Sequence, residues 1–193
     1  MTAMRADCAL LIIDVINELS FPGAENLLPW AQKMATRLVR LRRAARRCGV
    51  PVIYVNDNFG QWRSDFSQVY RHCTRPKVPG RDIARKLKPG RNDYFVLKPR
   101  HSAFFATSLI PLLEHLGTKQ LVLTGVATNL CVLFTAHDAH MHEYKLVVVS
   151  DCCAAESDFD HDVALSQLER FCGAAIRRSD EVRFVESRQK PGS

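Results

Sequence analysis

The sequence predicts an α/β fold of three layers, doubly wound, in which a mostly parallel sheet of about six strands is flanked by helices. Three observations carry that expectation. Short apolar runs rich in β-branched residues alternate with longer stretches of helical period, the pattern of a parallel sheet with crossover helices. The runs are apolar throughout rather than at every second residue, as strands buried on both faces are. Gly and Pro stand at the seams where helices stop and strands begin.

Five strands are read at residues 9–14 (ALLIID), 51–56 (PVIYVN), 94–98 (YFVLK), 120–125 (QLVLTG) and 145–150 (KLVVVS), with a weaker sixth near 174–177. Between the first two, residues 29–48 place Leu38, Leu41, Ala45 and Cys48 at helical spacing, and Gly49 with Pro51 ends the helix and opens the next strand. A helix over 107–116 closes on Gly117, and one over 129–142 follows a Gly-Val-Ala-Thr turn. Ser157 or Asp158 caps a last helix that runs to Cys172 before Gly173. Residues 57–92 carry no long periodic run beyond a turn or two of helix at 83–87, and so long an irregular segment is expected to build a binding site or lid.

The chain of 193 residues is expected to form one domain over 1–193, with 186–193 as a flexible tail. Hydrophobic residues at 47% and charged residues at 24% fit a globular domain and exclude disordered, collagen-like and disulfide-scaffold classes. The longest apolar run spans residues 8–13, far short of the roughly 20 that a membrane-spanning helix needs, so no membrane association is expected. The start MTAMRADCALLIID meets an Asp where a secretory signal would stay apolar, which predicts a cytoplasmic protein. Seven cysteines at irregular spacing, without a CxxC pair, read as reduced thiols. A formal net charge of +7 is compatible with nucleic acid, anionic lipid or acidic substrates and does not choose among them.

In open parallel sheets ligands bind outside the carboxyl ends of the strands. The first strand ends in Asp14, the third in Lys98, and the fourth runs into a turn that leads to Cys131 near the start of a helix. Together they form a plausible hydrolytic set. A thiol of ordinary pKa about 8.5 must lose its proton to attack a carbonyl, and a helix N-terminus and a lysine both favour the thiolate. Asp14 is placed to take the thiol proton, deliver it to a leaving amine and then activate water. Backbone N–H groups of the turn before Cys131 are candidates to hold the oxyanion, a task worth roughly 3 kcal/mol per donor. Singly, each residue has a plainer reading as a cap, a surface lysine or a small core residue.

The segments ALLIIDVINEL, VLKPRHSAFFATSL and LVLTGVATNLCVLFTAHDA resemble, in order and across almost the whole chain, the three signature segments of the isochorismatase-like cysteine hydrolase superfamily. The resemblance implies a parallel sheet of about six strands and a triad on Asp14, Lys98 and Cys131. It also implies a cis peptide between Val126 and Ala127, with the Ala127 and Cys131 N–H groups as the oxyanion hole. Members hydrolyse small amides such as nicotinamide, N-carbamoylsarcosine, ureidoacrylate, biuret and maleamate. Isochorismatases instead cleave a vinyl ether and generally lack the cysteine, so Cys131 favours C–N hydrolysis of a small amide or ureido substrate through a thioester. The resemblance further implies a homodimer or homotetramer.

Two departures narrow the expectation. Nicotinamidases resemble one another in an Asp-x-His metal motif after the second strand, but this chain reads NDNFGQWRSDF there, with Asp57 and no histidine. No catalytic metal and no cofactor are therefore expected. The family's usual Gln two residues after the aspartate is Ile16 here, which puts a polar contact from that position in doubt.

For substrate walls the loops offer Phe21, Asn58, Trp62 and Phe104 or Phe105. His101 follows the lysine strand and stays outside the triad. Cys152 stands near the same rim, although with Cys153 it reads more simply as a buried thiol. His137, His140 and His142 read as helix-surface or subunit-contact residues rather than metal ligands. The alternative function is a catalytically silent member, or an anion-binding or nucleic-acid-binding protein using Arg37, Arg40, Arg42, Arg43, Arg46 and Arg47. Without interleaved aromatics those arginines read more simply as a solvated helix face, and nucleic acid is not expected as a partner.

Overall fold

A computed structural model describes residues 2–3, 7–60 and 65–186. In chain order the elements are β1 (Thr2–Ala3), β2 (Cys8–Ile13), α1 (Ala24–Arg47), β3 (Val52–Asp57), α2 (Phe66–Cys73), α3 (Arg81–Lys86) and β4 (Tyr94–Lys98). There follow α4 (Leu109–His115), β5 (Gln120–Val126), a π-helical turn (Thr128–Val132), α5 (Leu133–Met141), β6 (Lys145–Ala154), α6 (Asp158–Cys172), β7 (Ala175–Arg177) and β8 (Val182–Arg183). Six strands form a parallel sheet in the order β4-β3-β2-β5-β6-β7, and β1 pairs with β8 separately. The α/β expectation and the six strands hold.

Why the strands read as unbroken apolar runs follows from the two cores. Leu10 and Ile12 of β2 face α1, where Leu27, Met34 and Leu38 meet them, while Ala9, Leu11 and Ile13 face α4, α5 and α6 through Leu113, Ala136 and Leu168. Alternate residues thus serve opposite layers. The strand order reverses between β2 and β5, so their carboxyl ends form the crevice at which this class of sheet binds ligands.

Boundaries differ from expectation in instructive places. Helix α1 starts at Ala24 and carries Pro29 inside it, on its exposed side, where the Glu25 carbonyl that loses its helical donor can be met by water. In α6, Ser157 caps the helix by accepting from the Asp160 N–H at 3.1 Å, and Gly173 closes it with φ 60, both as read from the sequence. Strand β6 runs on to Ala154 through a register shift against β5, which puts Cys152 in the core beneath α1 and Cys153 in the opposite one.

Residues 65–92 carry more regular structure than expected. Helix α2 is capped by Asp65, whose carboxylate accepts from the Gln68 N–H at 2.8 Å, a short capping pattern with no long periodic run behind it. The segment is clamped to the loop after β2: Gly80 N–H donates to Glu18 O at 2.9 Å, and a Cβ on Gly80 would lie 2.0 Å from Asn17 O. Residues 187–193 of the expected tail lie outside the described residues.

The arginine row on α1 is not a single solvated face. Arg42 is buried and donates to Tyr54 Oη and to Lys88 O at 2.8 Å, and Arg46 pairs with Asp93. Arg42 turns inward because α1 packs beside the chain between α3 and β4, whose carbonyls need donors, while Arg46 stays exposed and reaches the Asp93 carboxylate from the surface. Among the described residues no helix is long and apolar enough to cross a membrane.

Candidate active site

Ile13, the last residue of β2, sits in register with Val55 on one side and Gly125 on the other. The next residue, Asp14, adopts φ 51, a left-handed conformation that aspartate tolerates better than most side chains. Its N–H still donates to Val55 O at 2.8 Å while the carboxylate swings across the strand ends. Oδ1 accepts from the Asp57 N–H at 2.7 Å, and Oδ2 takes the Lys98 ammonium at 2.7 Å.

Lys98 ends β4 opposite Asp57 and is fully buried. Its Nζ also lies 3.1 Å from Arg100 O, 3.6 Å from Cys131 Sγ and 3.9 Å from Asp57 Oδ2. A buried ammonium is tolerable only with its donors satisfied in this way. Cys131 comes from the π-helical turn that follows the cis peptide Val126–Ala127, in which Val132 N–H reaches back to Ala127 O at 3.1 Å. Its thiol faces the Asp14 carboxylate across the same cavity floor. The structure therefore brings the carboxylate, ammonium and thiol of three strand ends together.

Electrostatics at this cluster reverse one expectation. Burial pushes the Cys131 thiol up, and the Asp14 carboxylate raises it further, outweighing Lys98. The resting thiol is thus protonated rather than a stabilised thiolate. Burial also lifts the Asp14 carboxyl above its usual range against the pull of Lys98. For Lys98, burial acts downward, but Asp14 and Cys131 outweigh it and hold the ammonium above its ordinary value.

Above the cluster opens a cavity of about 250 Å³. Phe21, Leu27, Phe59, Val126 and Leu130 give it apolar walls, and Asn17, Asp57, His101 and Glu156 add polar groups. Asp14, Ala127 and Cys131 line the same space. Of the expected wall residues Phe21 is present and Trp62 lies outside the described residues. Asn58 is buried beside the cavity, its Oδ1 accepting from the Gly60 N–H at 2.9 Å. Phe104 packs on His142, and Phe105 projects outward at 56% exposure, so neither lines the space.

Several lining residues escaped the sequence reading. Phe59 opens the long segment after β3, Leu130 precedes the cysteine, and Glu156 follows the extended end of β6. With the strand read as ending at Ser150 the strand-end rule points to Cys152, and Glu156 comes into view only with the extension of β6 to Ala154. His101 brings its Nδ1 to 4.0 Å from Cys131 Sγ. Ile16 is buried, and the polar contact at its position is made by its backbone O, which accepts from Asn56 Nδ2 at 2.8 Å. In the histidine group, His137 Nδ1 contacts Cys172 Sγ at 3.3 Å and His142 stacks on Phe104, while Cys152 is buried away from the cavity.

Residues 8–180 match the isochorismatase domain. The chain belongs to the isochorismatase family. It is 39% identical over 178 residues to the uncharacterized isochorismatase family protein YaaI of Bacillus subtilis, covering 92% of this chain and 97% of that one. Maleamate amidohydrolase of Pseudomonas putida is 29% identical, over 89% of this chain and 84% of its own length. Among solved structures, N-carbamoylsarcosine amidase from Thermoplasma acidophilum superposes with a TM-score of 0.71 at 30% identity, covering 90% of this chain and 97% of that one.

Proposed function

We propose that this isochorismatase-family chain is a cysteine hydrolase that cleaves the C–N bond of a small amide or ureido compound through a thioester acyl-enzyme. The observation that carries the reading is Lys98 Nζ, 2.7 Å from Asp14 Oδ2 and 3.6 Å from Cys131 Sγ at the floor of a substrate-sized cavity. Two relatives named for amide hydrolysis support it.

With a protonated thiol beside a carboxylate, attack and proton transfer go together. Cys131 Sγ bonds to the substrate carbonyl carbon as its proton passes to Asp14. The oxyanion is held by the Ala127 and Cys131 N–H groups, and the Lys98 ammonium, unopposed once Asp14 is protonated, favours the negative charge that develops beside it. Asp14 then returns the proton to the leaving nitrogen as the C–N bond breaks, releasing ammonia or an amine. Water attacks the thioester, gives its proton to Asp14, and the C–S bond breaks to free the acid and restore the thiol. The reading takes the chain as one domain working in the cytoplasm as a homodimer or homotetramer. Exposed Phe134 and Met141 on α5 and Phe159 and Phe171 on α6 supply apolar surface for that assembly.

Intact-mass analysis after incubation with a panel of small amides and ureido acids tests the mechanism. An acyl adduct on Cys131, absent from Cys131→Ala, is the expected result; full turnover by Cys131→Ala removes the mechanism. Light scattering that gives a monomer at working concentration removes the assembly.

A further inference from the structure

The ionisable groups around the cavity are unbalanced. Glu156 lines it beside the N-terminus of α6, and its carboxylate has no hydrogen-bond or ion-pair partner among the described residues. Asp57 contributes a second carboxylate, a third exposed and 3.9 Å from Lys98. No lysine or arginine among the described residues lines the space. Lys98 sits below the floor with Asp14, Asp57, Cys131 and Arg100 O already around it. Lys33 and Arg37 face a different cavity, where Arg37 lies 3.6 Å from Asp151. Besides Asp14 and Cys131 at the floor, Asn17 and His101 are the other polar side chains of the lining, and His101 stands at the Cys131 end with its Nδ1 4.0 Å from Sγ; the rest is apolar.

We infer that the cavity selects uncharged or cationic small amides with an apolar body and rejects amides that carry a carboxylate, with Glu156 as the residue that sets this preference. The inference rests on the amide-hydrolase reading of the site. A substrate carboxylate here would lose water and meet two protein carboxylates, with no lysine or arginine of the described residues in the lining to pair with. An amide, hydroxyl or ammonium group would instead donate to Glu156. Maleamate and N-carbamoylsarcosine, named in two relatives, each bear a carboxylate, so the preference sets this chain apart from those two compounds.

The test uses two electrophiles that differ in charge and share a leaving group, iodoacetamide and iodoacetate. In both, Sγ displaces iodide and a C–S bond forms with loss of the thiol proton. The ratio of their rates at Cys131, followed by peptide mass mapping, is compared with that on the neutral free thiol N-acetylcysteinamide, so the thiolate fraction cancels. Wild type should favour iodoacetamide by roughly fivefold or more beyond the free thiol, Glu156→Gln should lower that excess, and Glu156→Lys should reverse it. In turnover, maleamide should be hydrolysed with at least about tenfold higher kcat/KM than maleamate, again shifting toward maleamate in Glu156→Lys. A wild-type ratio no higher than the free thiol's, or one unchanged in both variants, overturns the inference while leaving Cys131 as nucleophile. Failure of both reagents to modify Cys131 in folded protein removes the amide-hydrolase reading and this inference with it.

Discussion

Gly125 lies so close to Ile13 that a Cβ on it would stand 2.0 Å from the Ile13 carbonyl oxygen and 2.7 Å from its nitrogen. With φ 116 it also occupies a backbone region closed to L side chains. Two chemistry-bearing segments diverge from this contact, since Asp14 follows Ile13 and the turn to Cys131 follows Val126. Gly125→Ala is expected to cost about 3 kcal/mol or more and to abolish turnover, because neither backbone can withdraw without moving the site. Urea denaturation followed by circular dichroism checks it; a shift below about 0.5 kcal/mol counts against the argument.

The Asp14–Lys98 pair separates stability from chemistry. Lys98→Met leaves a buried carboxylate without its cation and should destabilise the fold by about 3–5 kcal/mol. Adding Asp14→Asn removes the orphaned charge, so the double variant should recover much of that loss while hydrolysis stays absent. Denaturation midpoints and amide turnover of wild type, Lys98→Met and the double variant decide it. A double variant no more stable than Lys98→Met would mean that the pair's cost lies elsewhere.

How far the site was legible before folding follows from what each residue needs. Asp14 and Lys98 end uninterrupted apolar runs, and parallel topology alone sends those ends to one rim. Cys131 stands after the fourth such run, behind a Gly-containing turn. The protonation of its thiol was not legible, because it depends on how completely Asp14 and the neighbouring layers exclude water. Glu156 was missed because β6 carries its pairing through an irregular register past Ser150. Helix α2 is too short for periodicity, although Asp65 and Gln68 at capping-box spacing announce its start.

A thiol pushed up by burial has a kinetic signature. Alkylation of Cys131 by iodoacetamide should rise continuously from pH 6 to 9 with no plateau near neutrality, unlike a cysteine held as thiolate by a histidine or helix terminus. Turnover should lose its acid limb at a pH above the ordinary carboxylate value of 3.8, since Asp14 is lifted by burial and its protonated form cannot take the thiol proton. A plateau in alkylation below pH 7 would contradict both the direction and its cause.

His161 ties the cysteine turn to α6 through its Nδ1, 2.8 Å from Thr128 Oγ1. Burial holds its pKa below 6.5, against Asp162 and Asp158. Between that lowered value and 6.5 the unfolded chain binds the proton that the folded chain refuses, so stability falls as pH drops through this window and is retained above it. Thermal or urea stability should decline on acidification from pH 7 to 5, and His161→Gln should flatten the slope. An identical slope in the variant would assign the dependence to other groups.

Neighbouring arginines on α1 make the last comparison. Arg42 serves Tyr54 Oη and Lys88 O from a buried position, and Tyr54 Oη in turn donates to Leu87 O at 2.7 Å, which anchors the end of α3 to the sheet. Removing its guanidinium leaves buried acceptors unpaired, so Arg42→Met should cost about 3 kcal/mol, whereas Arg43→Met, one residue on and exposed, should stay within about 0.5 kcal/mol. The same pair bears on the nucleic-acid alternative. With Arg42 buried and Arg46 and Arg37 engaged by Asp93 and Asp151, Arg40, Arg43 and Arg47 remain as a thin basic strip, and retention on DNA cellulose is expected to vanish well below physiological salt. Retention that persists there and is lost in Arg43→Met would reinstate phosphate contact by this helix.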